Sequence, residues 1–274
     1  MTKNIEAVVF DWAGTMIDFG CFAPTIAFVD VFAEFGIDVA LDDARGPMGL
    51  PKRDHISTML TLPSVRQKWT QTFGREPGLS DVDALYDRFI PLNEKVVARH
   101  SELIPGAIET LSFLKSNHVR IGSTTGYTRS IMQHVLPLAA NQGYVPQNCV
   151  CSDEVETGRP GPEAMYKCMQ DLGIQEPTTL LKVDDTAPGI AEGVAAGCVT
   201  VGLALSGNHV GLTVEELSRL RTQDVAARRQ SATHMLRAAG ADYVVDSVAD
   251  IPSLMAQLKM IKDPTERAAS TPNF

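Results

Sequence analysis

Short, nearly continuous apolar runs occur at residues 7–10, 119–125, 180–184 and 199–203, and residues of obvious chemistry stand at the ends of the first three: Asp11, Thr125, and Asp184 with Asp185. Runs of this length between turn residues are the pattern of buried parallel strands. Between them apolar positions recur every three or four residues at 105–115, 128–138, 162–172 and 188–196. Prolines open three of these stretches, and Gly173 and Gly197 close the last two, which marks them as helices. Strands alternating with helices predict an α/β fold built on a doubly wound parallel sheet.

Residues 21–100 break the alternation. Helical periodicity appears at 25–35, 54–60, 65–73 and 81–98 with no strand between, so an all-helical insert follows the first strand. A helical stretch at 213–239, a strand at 243–245 and a helix at 251–258 complete the pattern. The expected organisation is an α/β core from residues 1–20 and 101–261, a helical domain at 21–100, and a polar, disordered tail at 262–274.

Composition narrows the function. The net charge of −9 over 274 residues, with no long Lys/Arg run, argues against nucleic acid or an anionic membrane as the main partner. No apolar stretch reaches the length of a membrane span and no secretory h-region opens the chain, so a cytoplasmic protein is expected. Cys21, Cys149, Cys151, Cys168 and Cys198 form no CxxC pair, which suits free thiols in a reducing compartment.

In an open α/β sheet the ligand lies beyond the carboxyl ends of the strands. Asp11, Thr125, Arg159 and Asp184-Asp185 are the residues to inspect there. Singly they read as a strand-ending carboxylate, a turn with a helix cap, a loop cation and a solvated acidic end. Together they supply a carboxylate nucleophile, a hydroxyl, a fixed cation and acidic metal ligands, the set that phosphoryl transfer needs. Magnesium suits Asp11, the Ala13 carbonyl and Asp185 as oxygen ligands. Thr125 and the Gly126 N–H at a helix start suit a phosphoryl oxygen, with Arg159 donating beside them.

These motifs, spanning residues 7–197, resemble those of the haloacid dehalogenase superfamily, in which helical inserts after the first strand act as caps. Superfamily phosphatases generally carry a second Asp two residues after the nucleophile, as the acid for the leaving group. Here that residue is Ala13, and loss of general acid catalysis costs roughly 10²- to 10⁴-fold. The segment Pro47-Met48-Gly49-Leu50-Pro51-Lys52-Arg53-Asp54-His55 offers another route. An imine between Lys52 and an aldehyde next to a phosphonate accepts the electrons of a breaking phosphorus–carbon bond. Its amine must be depressed from about 10.4, by burial and by Arg53 if that side chain points inward, and His55 on the same helical face is placed to relay a proton.

With Phe10-Asp11-Trp12-Ala13-Gly14-Thr15, Cys21-Phe22-Ala23-Pro24, Gly122-Ser123-Thr124-Thr125-Gly126-Tyr127-Thr128-Arg129 and Gly158-Arg159-Pro160, the chain is similar to one subfamily, the phosphonoacetaldehyde hydrolases. The resemblance implies Asp11 as nucleophile, Lys52 as Schiff-base former and Asp11, Ala13 and Asp185 around magnesium. Thr125, Gly126 and Arg159 would hold the phosphonate of a small-molecule substrate, with Met48, Cys21 and His55 near the imine. It also implies a homodimer. One departure stands out: some members carry a second Asp four residues after the motif's Asp, where this chain has Gly189. A dehalogenase, another hydrolase of this fold and a non-catalytic phosphate-ligand sensor are the competing readings.

Overall fold

The computed structural model describes residues 4–259; the tail at 262–274 and the end of the expected core at 261 lie outside them. Five parallel strands form one sheet in the order β2-β1-β3-β4-β5: β1 Ala7–Phe10, β2 Arg120–Ser123, β3 Leu180–Asp184, β4 Val199–Leu203 and β5 Tyr243–Val245. Alternation along β1 sends Val8 and Phe10 into the larger core, and Ala7 and Val9 into a second cluster with Met165, Cys168 and Leu172 on the opposite face. Both faces are thus covered, which is why β1 is apolar throughout.

The chain leaves β1 for a set of helices and returns only at β2. These are α1 Phe22–Glu34, α2 Leu41–Arg45, α3 Lys52–Thr61, α4 Pro63–Phe73 and α5 Leu79–Val97, the cap. The core adds α6 Ala107–Ser116, α7 Arg129–Asn141, α8 Glu163–Leu172, α9 Ala187–Ala195, α10 Val214–Arg219, α11 Thr222–Ala238 and α12 Ile251–Gln257. In the cap, Val82, Leu85 and Phe89 repeat at helical spacing along α5 and pack with Ala27, Phe28 and Val31 of α1; the Phe28 and Phe89 rings stack at 4.3 Å.

Two details depart from the sequence pattern. The stretch expected to be one helix at 213–239 is broken, because Leu220 turns extended after α10, which the Thr213 side chain caps by accepting from Glu216 N at 3.1 Å. The short α2 gave no periodic signal, since five residues do not complete two turns. All five cysteines are free, four of them buried. Among the described residues no helix is long and apolar enough to cross a membrane.

Candidate active site

Strand register assembles the site. Phe10 lies opposite Ser123 on one side and Val183 on the other, so the three chains leave the sheet together. Beyond the ladder, Asp11 N donates to Val183 O at 3.0 Å and Thr124 N to Phe10 O at 3.1 Å. Asp11, Thr124-Thr125 and Asp184-Asp185 therefore meet at the carboxyl edge of β1, where β2 and β3 flank it on opposite sides and a crevice is expected.

Arg159 reaches this edge from its loop. Its Nη2 lies 2.8 Å from Asp11 Oδ1 and 3.4 Å from Asp184 Oδ2 and donates to Thr124 O and Oγ1, while Nε donates to Glu192 Oε2 at 3.2 Å. Lys182 joins from β3, its Nζ 2.6 Å from Thr124 Oγ1, 2.9 Å from Glu192 Oε2 and 3.1 Å from Asp184 Oδ2. Arg159 and Lys182 are both buried, so the two cations are held by paired acidic groups rather than by water.

Asp11, Asp184 and Asp185 each offer a carboxylate oxygen, all within 4.8 Å of one another and all buried. Burial, then the charge of Asp184, raise Asp11 to about 6 against the pull of Arg159 and Lys182. Asp185 is raised well above its ordinary value by burial, Asp184 and Asp11. Burial also works to raise Asp184, but Arg159, Lys182 and Thr186 outweigh it, and the carboxyl is held low. Asp185 has hydrogen bonds from Asn208 N at 2.7 Å and Thr15 Oγ1 at 3.2 Å but no ion pair among the described residues. Three crowded oxygen donors, one without a counter-charge, fit a hard divalent cation such as magnesium.

The structure also accounts for Gly189. A Cβ built there would sit 1.9 Å from Asp184 Oδ2. The carboxylate of Asp184 fills the room that a side chain at 189 needs.

Lys52 comes from the cap. Together with Asp11, Ala13, Cys21, Met48, Gly49, Thr125, Gly126, Tyr127 and Arg159 it lines one narrow cavity with a free volume of about 20 Å³, close to the room one water takes. Its Nζ lies 4.9 Å from the Tyr127 ring centre and 5.5 Å from that of Phe28. Burial is the largest cause lowering Lys52 to about 8; Cys21, Asp11 and Asp185 oppose it and Arg159 adds to it. The helix begins at Lys52 itself, two residues earlier than its periodicity indicates, and a helix N-terminus disfavours a cation. Arg53 has no part in this: contrary to the inward orientation considered from the sequence, its guanidinium pairs with Asp83 on the surface at 2.7 Å.

His55 does not line the cavity. It lies buried behind Phe28, ring centres 3.7 Å apart, with Nε2 2.9 Å from Ala44 O. Burial, followed by Lys52, pushes its pKa well below the ordinary value, so the ring is neutral and Nε2 donates to the carbonyl. Tyr127, quoted in the motif but given no role there, has a buried hydroxyl without a hydrogen-bond partner among the described residues. Burial above all raises its pKa well above the ordinary value and keeps it a neutral phenol. Lys182 and Glu192 were also missed. The signal was a lysine inside an otherwise apolar strand, Leu180-Leu181-Lys182-Val183, since an unpaired buried lysine is rare.

The profile of the haloacid dehalogenase-like hydrolases matches residues 5–197. A phosphonoacetaldehyde hydrolase of Paraburkholderia phytofirmans is 47% identical over 249 residues, 91% of this chain and 93% of that protein. One from Pseudomonas fluorescens is 42% identical, with 93% of each chain covered. A crystal structure of a phosphonoacetaldehyde hydrolase-like protein from Oleispira antarctica superposes with a TM-score of 0.92 at 38% identity, covering 99% of this chain and 97% of that one. The family match over residues 5–197 and relatives at 42–47% identity over about nine-tenths of the chain show that the chain belongs to the haloacid dehalogenase-like hydrolase family, among the phosphonoacetaldehyde hydrolases.

Proposed function

We propose that the protein hydrolyses the phosphorus–carbon bond of phosphonoacetaldehyde, releasing acetaldehyde and phosphate. One observation carries the reading: the Lys52 amine from the cap and the Asp11 carboxylate from the core line the same cavity, with alanine at position 13 where a leaving-group acid would stand. The relatives named phosphonoacetaldehyde hydrolase support the substrate.

The neutral Lys52 amine adds to the aldehyde carbon, a proton is taken up from solvent and water departs, leaving a protonated imine. Arg159, Thr125 and Gly126 hold the phosphonate oxygens in line with Asp11. The Asp11 carboxylate attacks phosphorus, and the carbon–phosphorus electron pair moves into the iminium to give an enamine. Protonation at carbon and hydrolysis of the imine release acetaldehyde and restore Lys52. A second water cleaves the aspartyl-phosphate, freeing phosphate and Asp11. Asp11, the Ala13 carbonyl and Asp185 would hold magnesium, which would supply the positive charge that lets one anion approach another.

Two outcomes test this chemistry. The rate of imine formation, read as borohydride trapping with substrate, is expected to rise about tenfold per pH unit up to about 8 and level off above it, because raising pH converts the Lys52 ammonium to the reactive amine. A flat profile between pH 6 and 8 contradicts a depressed, titrating Lys52. Dialysis against a chelator is expected to stop turnover and added magnesium to restore it, with Asp185→Ala raising the magnesium requirement at least about tenfold. Full activity in excess chelator removes the metal from the mechanism.

A further inference from the structure

The cavity between Asp11 and Lys52 is walled by residues of both the cap and the core, so its shape depends on the two parts being held together. One cap side chain is built to do this. Arg45, the last residue of α2, sends Nη1 across the seam to Gly20 O at 2.8 Å, Asn208 O at 3.2 Å and Asn208 Oδ1 at 3.2 Å. Asn208 answers, its Nδ2 donating to Arg45 O at 3.0 Å. The guanidinium lies 5.3 Å from the Phe22 ring centre.

The receiving socket is cut to this group. Gly211 has φ +60°, and a Cβ there would come within 2.7 Å of Arg45 Cζ, so any side chain would displace the guanidinium. Arg45 makes no ion pair among the described residues. Its donors go to carbonyl and amide oxygens in a fixed arrangement, a use of geometry that lysine's point charge does not reproduce.

Both ends of the contact reach the site. On the cap side, Met48 N donates to Arg45 O at 3.1 Å, and Met48 walls the cavity. On the core side, the backbone N–H of Asn208 donates to Asp185 Oδ2 at 2.7 Å, and Ser206 of the same loop donates through Oγ to Gly14 O at 2.9 Å. The loop is itself tied to the end of β5 through Leu205 N and Ser206 N, both donating to Asp246 O. The core loop that bonds Asp185 therefore also bonds the cap.

We propose that Arg45 is a positioning residue that latches the closed cap onto residues 204–211 through Asn208, setting residues 47–52 over the nucleophile. The kinetic arm of the test rests on the phosphonatase reading; the exchange arm does not. In substrate-free protein, Arg45→Ala is expected to speed amide hydrogen exchange of residues 47–52 at least about tenfold, with β1, β3 and β4 unchanged as the control for folding. With phosphonoacetaldehyde, KM is expected to rise about tenfold while kcat stays within about threefold, because the latch acts on closure and not on the reacting atoms.

Asn208→Ala removes only the side chain, keeps the backbone bond to Asp185 and leaves Arg45 its bonds to Gly20 O and Asn208 O, so it is expected to shift both readouts in the same direction by less. The double variant is expected to fall short of the sum of the two single ones, since the Arg45 Nη1–Asn208 Oδ1 bond is lost in both. Unchanged exchange at 47–52 in Arg45→Ala, or Arg45→Ala and Asn208→Ala effects that simply add, would overturn the latch. Wild-type protein without activity on phosphonoacetaldehyde overturns the functional reading instead and leaves the exchange result standing.

Discussion

Asp11→Asn is expected to lower turnover by roughly 10⁴-fold or more while leaving the fold intact. The amide has no lone pair competent to attack phosphorus, and it presents an N–H or an uncharged oxygen where Arg159 Nη2 meets Oδ1 at 2.8 Å. It also removes one of the three carboxylates clustered within 4.8 Å. Both losses act on the same step, so their effects do not separate into additive parts. Folding is spared because the position contributes to the sheet through its backbone, Asp11 N to Val183 O, which asparagine keeps. The measurement is single-turnover phosphate release from freshly prepared variant, checked by mass for deamidation; activity above a few per cent of wild type would remove Asp11 as nucleophile.

Lys52→Arg is expected to be nearly as damaging, with a different signature. The guanidinium stays protonated at any working pH and does not form an imine, whereas the buried Lys52, lowered to about 8, has about one amine in ten neutral at pH 7. The larger head group also has to fit between the Tyr127 and Phe28 rings in a cavity of about 20 Å³. Thr125, Gly126 and Arg159, proposed to hold the phosphonate, are untouched. Binding of phosphonate, read as competition by a non-aldehyde phosphonate in equilibrium dialysis, is expected to persist while carbon–phosphorus cleavage falls by at least about 10³-fold. Normal turnover by Lys52→Arg would return the chain to an unassigned hydrolase of its family.

The strand-end chemistry was legible because parallel register does the assembly: once residues 7–10, 119–125 and 180–184 read as neighbouring strands, Asp11, Thr125 and Asp185 must converge. Contacts set by tertiary packing were not. Arg53 is next to Lys52 in the chain but points to Asp83, while burial lowers the Lys52 amine and the cation that adds to it is Arg159, over a hundred residues away. His55 shares a helical face with Lys52, yet its ring stacks on Phe28 of α1 and its Nε2 bonds Ala44 O. Arg45 and Asn208 meet across 163 positions from a helix of one turn and a loop, neither with a periodic signature. The sequence left open whether Asp184 replaces the acid absent at Gly189; a Cβ at 189 would lie 1.9 Å from the Asp184 carboxylate.

The imine on Lys52 is the claim on which the account turns, and reductive trapping tests it directly. Borohydride added to the wild-type protein together with phosphonoacetaldehyde is expected to inactivate it and to leave one reduced adduct, found by peptide mass mapping on Lys52, whereas borohydride alone leaves activity intact. An adduct on a different lysine, or undiminished turnover with no adduct on Lys52, would contradict it.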